Sequence, residues 1–595
     1  MVMEKEKGSE LVSLCIEAAC ASRESVEKWR MQRRSLGRLP AHLADSLLRR
    51  LIRRRLLFPS LLEVFKYNVE AIDLRGENSV DAEWMAYLGA FRCLFSLNIA
   101  DCHRVTSSAL WALTGMTCLK ELDLSRCLKV TDAGIKHLVS ISTLEKLSLS
   151  ETGVTENGIA LLSSLKILSV LDLGGLPVTD LVLIALQVLT KLEYLDLWGS
   201  RISNSGVAVL QMFPRLSFLN LAWTSVTKMP NISSLECLNL SNCTINSMLE
   251  GNEDKAPLAK ISLSGSTFMN EAEAFLYIET SFLSFLDVSN SSLKRFSFLS
   301  QMKALEHLNV SSSTMGDDTV EMVACIGANL RNLNLSDTRV SSAGVGILAG
   351  HLPNLEILSL SGTSIDDYAI SYISTMPSLK VIDLSNTEIK GFIQQVGAET
   401  DFVLSLTALQ SLSHLERLNL EQTQVRDATI CPLSTFKELS HLSLRSASLT
   451  DLSLDHLSSL SKLTSLCVRD AVLTNSGLGS FKPPATLKLL DLHGGWLLTE
   501  DAILQFCKMH PQIEVMHELI IISPSDQIGS NRPSPSKICL RASLVNKKQD
   551  QIPISEYFLD QRLKYDREEL LALQYSSLYV ALPQDSDVQD VLGSR

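Results

Sequence analysis

Thirteen cysteines and eleven histidines give this 595-residue chain material for metal binding or thiol chemistry, but their spacing supports neither. Zinc sites built on such residues need close pairs such as Cys-x-x-Cys or His-Glu-x-x-His, and the sequence has no such pair. Thirteen is an odd number, and the cysteines are scattered rather than set in a framework, as expected for thiols in a reducing compartment. Cys102, Cys127 and Cys243 share one position of a recurring pattern. Elsewhere that position holds Thr152, Thr224, Thr338, Thr363, Thr387 and Thr423. A thiol that alternates with a hydroxyl reads as a small polar side chain bonding turn backbone, rather than as a nucleophile or ligand. No nucleophile, base and orienting group assemble from local motifs, no glycine-rich phosphate loop is present, and the Cys/His spacing of a RING is missing. Catalytic, cofactor and metal residues are therefore not assigned, and the chain is not expected to be an enzyme.

The chemistry these residues do offer is recognition. Tyr194, Trp198, Phe218 and Trp223 fall on two adjacent repeats at positions expected to face solvent, where large aromatics mark an interaction hot spot. Packing of some of them beneath a shortened repeat at Met229-Pro230 is the alternative. Further on, Arg417, Arg445, Arg469 and His493 are expected in corresponding columns of successive repeats. A protein ligand with an acidic segment beside an apolar one would suit such a surface. The acidic column Asp123, Asp172, Asp196, Asp287, Asp383 and Asp491 is expected instead to satisfy backbone and neighbours.

The elements that must position these side chains follow from a fixed period. A Leu-x-x-Leu-x-Leu skeleton begins seventeen times between Leu94 and Leu487, mostly 24 or 25 residues apart. Each skeleton predicts a short strand with its leucines turned inward and the intervening residues outward. One such coil cannot bury its leucines alone, so neighbours must stack into a parallel sheet. After the strand, segments such as Val130-Thr-Asp-Ala-Gly-Ile and Val154-Thr-Glu-Asn-Gly-Ile place a cap ahead of a helical apolar pair. The expected class is α/β, a solenoid with strands on the concave face and helices on the convex one. Two coils depart from the template. The one at Leu216 is short and should lose its helix at Pro230, and the one at Leu379 is 36 residues long, with an insertion around Gly391 to Asp401.

This pattern resembles the cysteine-containing subtype of leucine-rich repeats, common in receptors of the F-box class, over about three quarters of the chain. The resemblance implies the fold and a binding role, with a protein held on the concave face.

The first 66 residues form a separate piece. They carry a charge of +6, against -12 for the whole chain. Leu11, Cys15 and Ala19 fall on one helical stripe, and Leu39-Pro40-Ala-His-Leu43 leads through Leu47 as a second helix started by a proline. In this order ahead of leucine-rich repeats, the two segments resemble the Elongin-C-binding box and cullin box of VHL-box substrate receptors of the Zyg-eleven and Zer-one type. The resemblance implies that Leu11, Cys15 and Ala19 dock Elongin C, and that Leu39, Pro40, Leu43 and Leu47 face a cullin. The same leucines and proline also resemble the opening of an F-box, which would bind a Skp-type adaptor instead. The arginines from Arg49 to Arg55 read either as a nuclear import signal or as a solvated helix face.

The net charge disfavours nucleic acid and anionic membrane as partners. No secretory signal or membrane span is visible, so a cytoplasmic or nuclear protein is expected. The expected organisation is residues 1–66 as an adaptor-binding helical segment, 67–520 as solenoid, 521–552 as linker, and 553–595 as a C-terminal helix and tail. The resulting expectation is a substrate-recognition subunit of a cullin-RING ubiquitin ligase, and its rival is a leucine-rich scaffold with no ligase link.

Overall fold

A computed structural model describes residues 12–31, 39–250, 257–394 and 402–519. Leu11, the expected linker 521–552 and the expected tail 553–595 lie outside the described residues.

The chain opens with helices over residues 12–19, Arg23–Arg30 and Ala41–Arg53, followed by a 3-10 turn at Pro59–Val64. Ser22 caps the second helix by accepting from the Ser25 N–H at 3.2 Å. The third helix buries Ala44, Leu47, Leu48 and Leu51 on one face. The first helix is pinned by its polar residues. Glu17 forms ion pairs with Arg50 and Arg54. Arg54 also donates to the Cys20 carbonyl at 2.8 Å, and the Trp29 indole donates to the Ala19 carbonyl at 3.0 Å. Two of the clustered arginines are thus spent inside the N-terminal segment.

The repeats fall into two compact units. In the first, strands from Ala71–Asp73 to Cys237–Asn239 pair in parallel, each with its successor, so that Ile72, Leu97, Leu122, Leu147, Leu171, Leu195, Leu219 and Leu238 stand in register. In the second, the same arrangement runs from Lys260–Ser262 to Glu514–Met516, with Ile261, Leu286, Leu308 and Leu333 in register. All of these central residues are buried, as the skeleton predicts. Both units are leucine-rich-repeat solenoid, with the strands of the main sheet three to five residues long.

After most strands of the main sheet the chain reverses through a left-handed residue, such as Asp101, Arg126, Glu151 and Trp223, or Gly175 and Gly199. The N–H at this place bonds to the next coil: Asp101 to the Ser125 carbonyl and Arg126 to the Ser150 carbonyl, both at 2.8 Å. Glycine, asparagine and aspartate tolerate that backbone best, and Trp223 (φ 60°) occupies it without such help.

On the helical side a second ladder joins the coils. The Asp132 carboxylate accepts from the Thr155 N–H and hydroxyl at 2.7 and 2.6 Å. Asp180 binds Ser203, Asp427 binds Thr450 and Asp451 binds Thr474 in the same way. This explains the glycine three residues after Thr155, Ser203 and Thr474, because a Cβ at Gly158 would stand 2.2 Å from an Asp132 oxygen, whereas Ser453 holds that place after Thr450.

The short coil at Leu216 forms no helix after its strand. Lys228–Pro230 is extended and pairs in parallel with Ser247–Glu250. The insertion after Leu379 is an antiparallel hairpin of Phe392–Gln394 with Phe402–Leu404. Its root is held by Asp367, which is 5% exposed. That carboxylate accepts from the Lys390 N–H at 2.9 Å, the Gly391 N–H at 2.8 Å and the Ser405 hydroxyl at 2.5 Å.

Candidate functional site

The sheet face of the first unit carries the aromatic residues, and the register separates them into two kinds. Tyr194 and Phe218 are paired strand neighbours whose rings stack with centroids 4.2 Å apart and 4° between planes. They are 5% and 2% exposed, so the expectation that they face solvent is corrected: they shield one another and are buried. Trp198 is half-buried and lies over the preceding coil, where a Cβ on Gly174 would come within 2.0 Å of its Nε1. Trp223 stands at the left-handed turn and is 40% exposed. The open aromatic surface is therefore the turn side, at Trp223 and the outer edge of Trp198.

The acidic column meets its expectation. Asp172 accepts from the Gly174 N–H and Asp196 from the Trp198 N–H, both at 3.0 Å, and the Asn220 amide donates to Asp196 at 3.0 Å. These carboxylates fix the turns from which Trp198 projects. Asp287 and Asp383 play the same part in the second unit, and burial raises both carboxyls above their usual range.

The arginine column needs two corrections. Arg417 begins its strand, in register with His441, whereas Arg445 and Arg469 end theirs, in register with Glu421. Arg417 therefore belongs to a different column. The charges of the other two are also met internally. Arg445 pairs with Asp470. Arg469 donates through Nε and Nη2 to Asp491 at 2.8 and 2.6 Å, and through Nη1 to Glu421 at 3.2 Å. The His493 ring meets the other Asp491 oxygen at 2.6 Å. Burial alone would raise Asp491, but hydrogen bonds from Arg469 and His493 hold its carboxyl below the ordinary value. Burial raises Glu421 against the pull of Arg469 and Arg445. Burial, and then the Arg417 charge, push the His441 imidazole down to about 4, so it is neutral at physiological pH. An acidic ligand would meet a polar, largely neutralised network here.

The cysteine position is structural, as its alternation with threonine suggests. The Cys102 thiol donates to the Leu74 carbonyl and the Cys127 thiol to the Ile99 carbonyl, each at 3.2 Å. Thr338 and Thr363 bond carbonyls three residues back from the same place. Burial pushes the Cys102 and Cys127 thiols up to about 12, which removes them from nucleophilic chemistry. Among the described residues no group of three His, Cys, Asp or Glu is placed to hold a metal ion, and no helix is long and apolar enough to cross a membrane.

In the N-terminal segment Cys15 is exposed and Ala19 half-buried, beside Val12 and Leu14, which are 39% and 62% exposed. Pro40 is exposed, Leu39 and Leu43 are half-buried, and Leu47 is buried in the segment's own packing. Sequence reasoning missed the hairpin strand Phe402–Leu404, where Phe402 and Val403 are 54% and 49% exposed. Asp367 was a usable signal for it: as Asp132 precedes Thr155 by one coil, so Asp367 precedes Lys390 and Gly391.

Solved structures with a similar fold include an internalin from Listeria monocytogenes, with 18% identity over 69% of this chain and 88% of that one, at a TM-score of 0.29. The TLR13–ssRNA13 complex matches at 19% identity over 64% of this chain and 56% of that one, at a TM-score of 0.47. A leucine-rich-repeat protein of Leptospira interrogans matches at 16% identity over 77% of this chain and 98% of that one, at a TM-score of 0.38. The family model described as Leucine Rich repeat matches residues 115–139, the coil that holds Cys127 and the helix Asp132–Leu138.

Proposed function

We propose that the chain is a protein-recruiting subunit with two ends of different work: the N-terminal helices engage an adaptor and the repeat sheet engages a target. In its specific form this is the substrate-recognition subunit of a cullin-RING ubiquitin ligase, with Elongin C or a Skp-type protein as adaptor. One observation carries the reading. The helix over residues 12–19 is anchored through Glu17 to Arg50 and Arg54, yet turns Val12, Leu14 and Cys15 outward. A helix needed only to cover the first coil would bury such residues; an anchored helix with an apolar outer face suits a partner's groove. The target would meet Trp223 and the edge of Trp198. Catalysis would belong to other subunits.

A second reading is supported by Leu47, which is buried on the same helix face as Ala44, Leu48 and Leu51. The chain would then be a leucine-rich scaffold whose N-terminal helices cap the array. Affinity capture of the wild type beside a Leu11→Ser, Cys15→Ser double variant separates the two. The ligase reading expects Elongin C or a Skp-type protein, together with a cullin, in the wild-type eluate and not in the variant's. Capture of none of them by the wild type sinks it.

A further inference from the structure

We propose that Cys93 and Cys118 are a neighbouring thiol pair that peroxide oxidises to a disulfide, stapling two successive coils of the first unit.

Both cysteines are exposed, and each immediately precedes the first leucine of its coil, Leu94 and Leu119. Three residues further on, Ser96 and Glu121 are strand partners, and the Lys120 N–H already bonds the Phe95 carbonyl at 2.8 Å. The two cysteines therefore occupy equivalent places on adjacent, laterally bonded coils. Parallel strands lie ~4.8 Å apart, and a disulfide needs Cα atoms about 4.4–6.8 Å apart.

The direction of the side chain is set by others in the same column. Thr143, one coil on, donates its hydroxyl to the Leu119 carbonyl at 2.6 Å. Ser234 and Thr486 reach Leu216 and Leu463 in the same manner, at 2.8 and 2.7 Å. Ser and Thr side chains in this column reach the preceding coil, and the coil that precedes Cys118 is the one that carries Cys93.

Cys102 and Cys127 provide an internal contrast, since they too are one coil apart. They are fully buried, and their thiols are engaged with backbone carbonyls, so a soluble oxidant does not reach them.

In the reaction one thiol attacks a peroxide oxygen, the O–O bond breaks, and a sulfenic acid and water form. The second thiol then attacks that sulfur, the S–S bond forms, and the oxygen leaves as water. Two thiols and one hydrogen peroxide give one disulfide and two waters, with two electrons passed from sulfur to peroxide.

The test treats the full chain with hydrogen peroxide, blocks remaining thiols with N-ethylmaleimide and maps peptides without reduction. A Cys93–Cys118 cross-linked peptide is expected, reversed by dithiothreitol, abolished by either Cys93→Ser or Cys118→Ser, and retained in Cys127→Ser. Phenylarsine oxide, which bridges adjacent thiols, should protect both cysteines from N-ethylmaleimide in the wild type. In each single variant it should leave the one remaining thiol of the pair unprotected. Recovery of the two residues as separate sulfenic or sulfinic acids without cross-link, or absence of arsenical protection, overturns the proposal.

Discussion

The indole of Trp198 rests on the backbone of Gly174, one coil earlier, in space that a single methyl group at Gly174 would fill. This contact, rather than the Trp198 side chain alone, determines where the indole stands on the sheet face. A Gly174→Ala variant should displace the ring and cost ~1–3 kcal/mol, the range for overpacking. A lower urea midpoint together with a shifted tryptophan emission would show it. Unchanged emission would mean that Trp198 does not sit on this glycine.

Asp367 replaces its coil's usual cap contact with a grip on the hairpin root. Asp367→Ala leaves two N–H groups and a hydroxyl without their acceptor, at a cost of ~1–3 kcal/mol for a buried donor left unmade. Limited proteolysis should then cut between residues 391 and 405 much faster than in the wild type. Asp132→Ala, on a less buried rung of the same ladder, should have the smaller effect.

His441 should make stability depend on pH. Its folded value of about 4 lies below the ordinary imidazole value, so the unfolded chain binds the proton more tightly. Stability is then fully present above about pH 6.5 and falls as pH drops toward 4, with the slope set by the difference in bound protons. The groups acting on it are the Arg417 guanidinium and the Ser440 hydroxyl, which meets its Nδ1 at 2.8 Å. His441→Gln should flatten the change in urea midpoint between pH 7 and pH 5. A variant as pH-sensitive as the wild type would refute this assignment.

Cys127 should accept threonine with little loss, because threonine fills the same place in other coils and reaches a carbonyl from it. Cys127→Ala should cost about 1 kcal/mol through the missing bond and lost packing. In the native chain Cys127 should also resist thiol-reactive dye until denaturant is added. Paired thermal melts and dye kinetics would check both.

The coil, its period and its two irregular members were legible from leucine spacing because burial imposes that spacing on every repeat. The terminal coils were less clear: Glu514–Met516 pairs as a further strand, but the leucine before its turn is replaced by His517, which is buried and bonded to Gly495 and Leu519. Surface columns were read less well. An outward strand position gives a side chain's direction but not what covers it, so the buried stack of Tyr194 and Phe218 looked open. Arg417 was grouped with Arg445 because like charges invite grouping, although the register sets them four residues apart on their strands. The acceptors that neutralise Arg445 and Arg469 come from other coils, and pairing across coils depends on three-dimensional stacking that residue type does not encode.

The grip of Asp367 separates the hairpin from the structure that carries it. Since one carboxylate secures both ends and no skeleton leucine lies between Gly391 and Leu404, a segment of different length or composition could be grafted at this socket without disturbing neighbouring coils. The root then makes the chain just after Gly391 a natural point for exchanging recognition loops between such arrays, with Gly391 itself kept, because a Cβ there would stand 2.5 Å from Thr429 of the next coil.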